Sequence, residues 1–180
     1  MGRGILRTKN EQKEGIRFVR GVRRDHLFAC LGQARPRDRD ELSAVYGTNW
    51  SEDEVARQWV MQSIDGLTVF HRNAPIACIV AWAHGPGHWS CGMIATDHWR
   101  KVAGSTSRYL KRYLRVVLLG QRVRRLSCVV DARYDVATRW LRFLGFEQEG
   151  CLRRYGADGR DFQMFSCLPS SMNFWRTMHV

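Results

Sequence analysis

His84 and His88 lie four residues apart, and imidazole is the side-chain type that both ligates transition metals and exchanges protons near neutral pH. On a helix that spacing would align two metal ligands. The intervening Gly85-Pro86-Gly87 excludes the helix, so the expected setting is a turn beside a strand end, and no metal is expected. Six cysteines, Cys30, Cys78, Cys91, Cys128, Cys151 and Cys167, are scattered singly without a Cys-x-x-Cys pair, which removes the other common zinc signal. Several alternate with core-type residues, so they read as small buried thiols of a reducing compartment.

The net charge of +12 comes almost wholly from arginine, since Lys9, Lys13, Lys101 and Lys111 are the only lysines among 29 basic residues. Such a field attracts polyanions. The charge is spread over Arg17, Arg20, Arg23 and Arg24, then over Arg100, Lys101, Arg108, Lys111, Arg112 and Arg115, then over Arg122, Arg124 and Arg125. Three uses compete: a solvated basic face, an anionic cofactor or acidic protein partner, and sequence-specific reading of nucleic acid, the last not expected because no DNA-binding motif is visible. No run approaches the roughly 18 apolar residues of a membrane span, and MGRGILRTKNEQKEG has charge but no apolar core, so no membrane partner and an unsecreted, soluble protein are expected.

The elements that must position these groups follow from changes of period. Residues 1–14 lack apolar periodicity and read as a flexible basic leader. Ile16 to Val22 suits an edge strand, Arg24 to Gln33 a helix interrupted by Pro36, and Asp38 to Val45 a second short helix. Ser51 caps a third helix with Val55, Trp59, Val60 and Ile64 on its core face. Three strands follow, Leu67 to Arg72, Ile76 to Ala83 and Trp89 to Thr96, with turns at Asn73-Ala74-Pro75 and His84 to Gly87. Asp97 opens a long basic helix to about Leu119 with Val102, Leu110, Leu114, Val117 and Leu118 as its buried stripe. Ser127 to Asp131 is a short buried strand. Asp135 to Leu144 is a helix with Asp135 available as cap and Gly145 as stop, and Gly156 to Gly159 separates two closing strands. The organisation is a leader at 1–14, one domain at 15–168 and an apolar tail at 169–180, whose Met172, Phe174, Trp175 and Met178 are expected to pack on the sheet rather than form a dimer contact.

The order strand, helices, three strands, helix, strand, helix, two strands, with Asp131 to Asp135, Ala137, Gly145-Phe146, Glu149-Gly150, Tyr155, Gly159 and Phe165 as landmarks, resembles a Gcn5-related N-acetyltransferase (GNAT) domain over residues 15–168. The resemblance implies an α+β fold, a mixed and mostly antiparallel sheet with helices on both faces, and transfer of an acetyl group from acetyl-CoA to an amine. It implies an acyl-CoA pyrophosphate site at a helix start, here Ile94, Ala95, Thr96, Arg100, Lys101, Val102, Ala103, Gly104, Ser105 and Thr106, where backbone amides and the helix dipole favour anions. The family's glycine-rich loop is thinner here: its two small positions are Ala103 and Ser105, or Gly104 and Thr106. Leu141 stands where many members have a proton-donating tyrosine. Tyr134 or Tyr155 would have to supply a phenol, and His88, His84 or Asp131 the base.

These departures, with Trp99-Arg100 and the closing Tyr155, Gly159, Gln163 and Phe165, are similar to acetyltransferase-like proteins of podovirus-type bacteriophages, some of them internal virion proteins. That likeness implies a host bacterial protein as target, a place in the host cytoplasm or the virion interior, and an alternative in which a catalytically degenerate GNAT-fold protein acts by binding alone. A homodimer is left open.

Overall fold

A computed structural model describes residues 15–120 and 123–170, so the expected leader at 1–14 and the tail residues 171–180 lie outside the described residues. The described residues form seven strands and five α-helices, with strand order β1-β2-β3-β4-β5-β7-β6. Two compact units divide it. One comprises residues up to 82 together with 92–106, the other 83–91 together with those from 107 onward.

In the first unit, β1 (Ile16–Arg20) pairs antiparallel with β2 (Ser63–His71), and β2 with β3 (Ala74–Gly85). Ile16 and Phe18 alternate inward, and Arg17 and Arg20 do not. Arg20 instead donates two hydrogen bonds to Asp65, at 3.2 and 2.9 Å, and Arg17 lies 4.2 Å from the Phe70 ring centre. Three helices, α1 (Arg24–Gly32), α2 (Pro36–Tyr46) and α3 (Glu52–Gln62), contribute Leu27, Leu31, Leu42, Val55, Ala56 and Trp59 to a core shared with Cys78, Val80 and Ile94.

Pro36 does not interrupt a helix; it begins α2, because a first-turn position needs no N–H donor and proline's fixed φ is already helical. Ser51 caps α3 as expected, accepting from the Glu54 N–H at 3.2 Å. Ile64 is not on the α3 core face. The helix ends at Gln62, where the Ser63 hydroxyl donates to the Val60 carbonyl, and Ile64 is half exposed in β2. The β2–β3 turn falls on Arg72 and Asn73 rather than on Asn73-Ala74-Pro75, with Arg72 at φ 54°.

Residues 92–95 complete β4 (His88–Ala95), whose first residues belong to the second unit. The expected single helix from Asp97 is two elements: a tight 3-10 turn over Asp97–Lys101, then α4 (Ala103–Gly120). Its predicted stripe, Val102, Leu110, Leu114, Val117 and Leu118, is buried throughout.

In the second unit, Pro86 and Gly87 (φ 74°) form the two-residue turn leading into β4. β4 then pairs in parallel with β5 (Arg125–Asp131) at His88↔Arg125, Trp89↔Leu126 and Ser90↔Ser127. β5 pairs antiparallel with β7 (Phe162–Cys167), and β7 with β6 (Glu147–Leu152). Between β5 and β6 lies α5 (Asp135–Leu144). Asp135 is a first-turn residue rather than the cap, a position held by Tyr134. Gly145, at φ 96°, donates to the Arg142 carbonyl while Phe146 donates to that of Leu141, a Schellman ending that satisfies two helix-end carbonyls. Among the cysteines, Cys30, Cys78, Cys128 and Cys167 are buried, but Cys151 is exposed on β6 and Cys91 is only half-buried, so not all are core thiols.

Gly66 tests how tightly β2 is built. A Cβ there would stand 2.8 Å from the Ile79 carbonyl oxygen and 2.9 Å from Val22 Cγ2. Since backbone cannot rotate aside as a side chain can, Gly66→Ala should lower stability by about 2 kcal/mol in urea denaturation without changing the m-value.

Candidate functional site

The end of β4 and the start of α4 are joined by a short chain of hydrogen bonds in the first unit. Ile94, Ala95 and Thr96 are buried. The Thr96 N–H donates to the Ile76 carbonyl of β3 at 2.9 Å, and the Thr96 carbonyl accepts from Trp99 at 2.9 Å. Val102 then donates to the Trp99 carbonyl, and Thr106 to that of Val102 at 2.8 Å, which starts the α-helix. First-turn N–H groups have no carbonyl four residues back within their own helix and attract anions. At this turn Gly104 is exposed, Arg100 and Lys101 project into solvent just before it, and Ser105 and Thr106 are buried. The side-chain oxygens of Thr96 and Thr106 are both buried without a hydrogen-bond partner. Small polar side chains, an exposed glycine and two flanking cations make this helix start suited to a phosphate-bearing ligand.

A residue that sequence inspection missed fixes this segment. Asp38, in the first turn of α2, is 6% exposed and accepts the Ala95 N–H at 2.9 Å. Its carboxylate is gripped by Arg35 through contacts of 2.7, 2.9 and 3.0 Å, and the Arg35 N–H donates to the Ala95 carbonyl at 3.0 Å. Ala34 forms an isolated bridge with Thr96. The α1–α2 connection therefore clamps the last residues of β4. Burial pushes the Asp38 carboxyl above its usual range, and the charge of Arg35 pulls it back. The Ala95 and Thr96 N–H groups are both spent inside the protein, which leaves neither of these expected cofactor-contacting amides to offer a ligand. The only sequence signal for Asp38 was an acid in an arginine-rich helix start, which reads as a solvated first turn.

The proposed catalytic residues, His88, Asp131 and Tyr134, all belong to the second unit. His88 is exposed at the start of β4, its ring 5.3 Å from that of His84, whose Nε2 lies 2.7 Å from the Ser90 hydroxyl. Tyr134 is half-buried at the head of α5. Tyr155 is half exposed in the β6–β7 connection, its ring 5.2 Å from Phe162, and Leu141 is buried.

Asp131 is occupied. Its side chain is 1% exposed, bound at 2.7 Å by Arg133 and 3.0 Å by Arg160, and accepts the Arg133 N–H at 2.9 Å. Burial alone would raise its pKa, but hydrogen bonds from Arg133 and Arg160 outweigh it and hold the carboxyl far below the usual carboxylate range. A carboxylate so stabilised takes up a proton poorly at neutral pH, so its role is to tie the end of β5 to the β6–β7 loop. Glu149 is similarly drawn down to about 2 by Arg125 and Ser166. Among the described residues, no group of three or more His, Cys, Asp or Glu side chains could hold a metal, and no helix is long and apolar enough to cross a membrane.

No protein-family model matches the chain, and no curated protein matches it in sequence. Solved structures do. A putative acetyltransferase from T. thermophilus aligns over 89% of this chain and 89% of its own, with TM-score 0.67 and 23% identity. A GNAT-family acetyltransferase from Bacillus anthracis aligns over 87% and 96%, with TM-score 0.65 and 13% identity. A ribosomal L7/L12 alpha-N-protein acetyltransferase in complex with coenzyme A aligns over 87% and 96%, with TM-score 0.61 and 16% identity. What is shared at these identities is the fold: the chain has the α+β GNAT fold.

Two substitutions separate the roles of the buried acids. Asp38→Asn keeps an acceptor for Ala95 but strands Arg35, and should cost about 2–3 kcal/mol in chemical denaturation at pH 7. For Asp131 the folded pKa is depressed, so its stabilisation is present above the unfolded value near 4 and fades as pH falls below it. Asp131→Asn should therefore lower the melting temperature clearly at pH 7, with a deficit only partly reduced at pH 3 because the folded carboxyl is still ionised there, as followed by circular dichroism.

Proposed function

We propose that the chain is an acyl-CoA-dependent N-acetyltransferase that moves an acetyl group from acetyl-CoA to an amine. The observation that carries this is the start of α4, where the exposed Gly104, the cations Arg100 and Lys101 and two partnerless buried hydroxyls follow the clamped end of β4 in a GNAT fold. Arg100, Lys101 and the turn Ala103 to Thr106 would hold the pyrophosphate, with Ile94 and Val102 as the apolar floor. When bound, acetyl-CoA supplies an activated thioester. The likeness to a coenzyme A complex supports the choice of ligand.

For the proton steps the chain offers the exposed imidazole of His88 as base and the phenol of Tyr134 as acid. Leu141 can donate no proton, and Asp131 is spent on Arg133 and Arg160. Correct placement of amine and thioester would then supply most of the acceleration.

A second reading is favoured by the same Leu141 and by the spent Ala95 amide: a catalytically degenerate GNAT-fold protein that acts by binding. The likeness to phage acetyltransferase-like proteins would make its target, or the acetyl acceptor, a host bacterial protein, met in the host cytoplasm or after release from a virion.

Calorimetric titration with acetyl-CoA at about 0.15 M salt separates the two. Binding by the native chain should be lost, with at least a tenfold fall in affinity, when Arg100 and Lys101 are both changed to Glu. An unchanged melting temperature would show that the variant is folded. Failure of the native chain to bind acetyl-CoA or CoA would overturn the acetyltransferase reading in favour of the second.

A further inference from the structure

His84 and His88 flank the tight turn at Pro86 and Gly87, and with Ser90 they belong to the second unit. No helix aligns them, yet the hairpin brings them together. Their ring centres are 5.3 Å apart with planes at 48°, and both residues are exposed.

The turn that carries the two rings is braced. The Arg124 guanidinium donates to the Pro86 carbonyl at 2.9 Å, and the Arg124 and Arg125 N–H groups both donate to the Gly87 carbonyl, at 2.8 and 3.0 Å. His84 is fixed in turn by Ser90, with 2.7 Å between its Nε2 and the hydroxyl oxygen. An imidazole held through one nitrogen presents the other in a set direction, which is how metal-binding histidines are oriented.

We propose that His84 and His88 together bind one zinc-type divalent transition-metal ion, with water completing its coordination. The His84 Nε2–H donates to Ser90, so Nδ1 keeps the lone pair that ligates. The ring spacing fits a shared ion. A metal about 2.1 Å from a ring nitrogen stands about 3.2 Å from that ring's centre, so centres 5.3 Å apart subtend roughly 110° at the ion. That is the tetrahedral angle of zinc sites, reached with the ring centres where they stand.

Among the described residues no third His, Cys, Asp or Glu joins the pair, so the site is an open one of two imidazoles and water. Donors that are nitrogen select zinc over magnesium or calcium, which take oxygen ligands. The adjacent Arg124 and the net charge of +12 oppose a cation and set the affinity below that of a closed four-ligand site. The inference does not rest on acetyl transfer. A metal on His88 takes the lone pair that this imidazole needs as a base, so the two uses exclude each other on one ring.

Titration of the full chain with zinc chloride, followed by NMR of the imidazole side chains, tests the site without interference from metal bound at thiols. The His84 and His88 signals, assigned by their loss in His84→Gln and His88→Gln, should move together and saturate. Those of His71 and His98 should stay still. In His84→Gln the His88 signal should need at least tenfold more zinc to reach half its shift, at an unchanged melting temperature. Magnesium chloride at about 5 mM should neither shift the pair nor compete with zinc. The proposal is overturned if neither signal moves by about 1 mM zinc, or if His88 titrates equally well without His84. It is also overturned if His98 responds at the same zinc concentration, which would make the pair no different from any exposed imidazole.

Discussion

A single buried carboxylate, Asp38, organises the junction of β4 with the start of α4. Asp38 holds the Ala95 N–H and is held by Arg35, so the α1–α2 connection, the last residues of β4 and the run into α4 become one hydrogen-bonded piece. A carboxylate at 6% exposure is costly to bury, and it is tolerated here because a bidentate guanidinium and a backbone donor satisfy it. Removing any one of the three partners leaves the other two short of hydrogen bonds in a place water barely reaches. The position of the α4 start, the proposed anion site, is thus set by residues far from it in sequence.

The large positive charge is not one property but two. Much of it is consumed locally: Arg20, Arg39, Arg125, Arg133 and Arg160 each pin a connection to a neighbouring strand or helix through a carboxylate. Exposed pairs of this kind, such as Arg23 with Asp25, add little stability. A further group, Arg108, Lys111, Arg112 and Arg115, stands on α4, a helix that contains no carboxylate. That segregation is what a uniform count of +12 conceals.

Elements whose signals are local were legible in the sequence. The helix α5 has its period, its Gly145 stop and its buried Leu141 and Leu144 within ten residues, and its bounds were anticipated. The cap at Ser51 was visible for the same reason. Features decided by distant neighbours were not. Ile64 looked like a helix core residue because it continues the α3 period, but the chain leaves the helix at Ser63 to pair with Trp82. Asp131 looked like a base at a strand end, and only the folded β6–β7 loop brings Arg160 to it. Asp38 reads as a solvated helix-start acid because its partner amide lies 57 residues away.

The most direct measurement is the acetyl-CoA affinity of Asp38→Asn, taken at a temperature where circular dichroism shows it fully folded. If the clamp sets the helix start that receives the pyrophosphate, affinity should fall at least tenfold although Asp38 itself is buried away from any ligand. An affinity equal to that of the native chain would show that the start of α4 holds its place without the clamp, and would contradict the central role given to it.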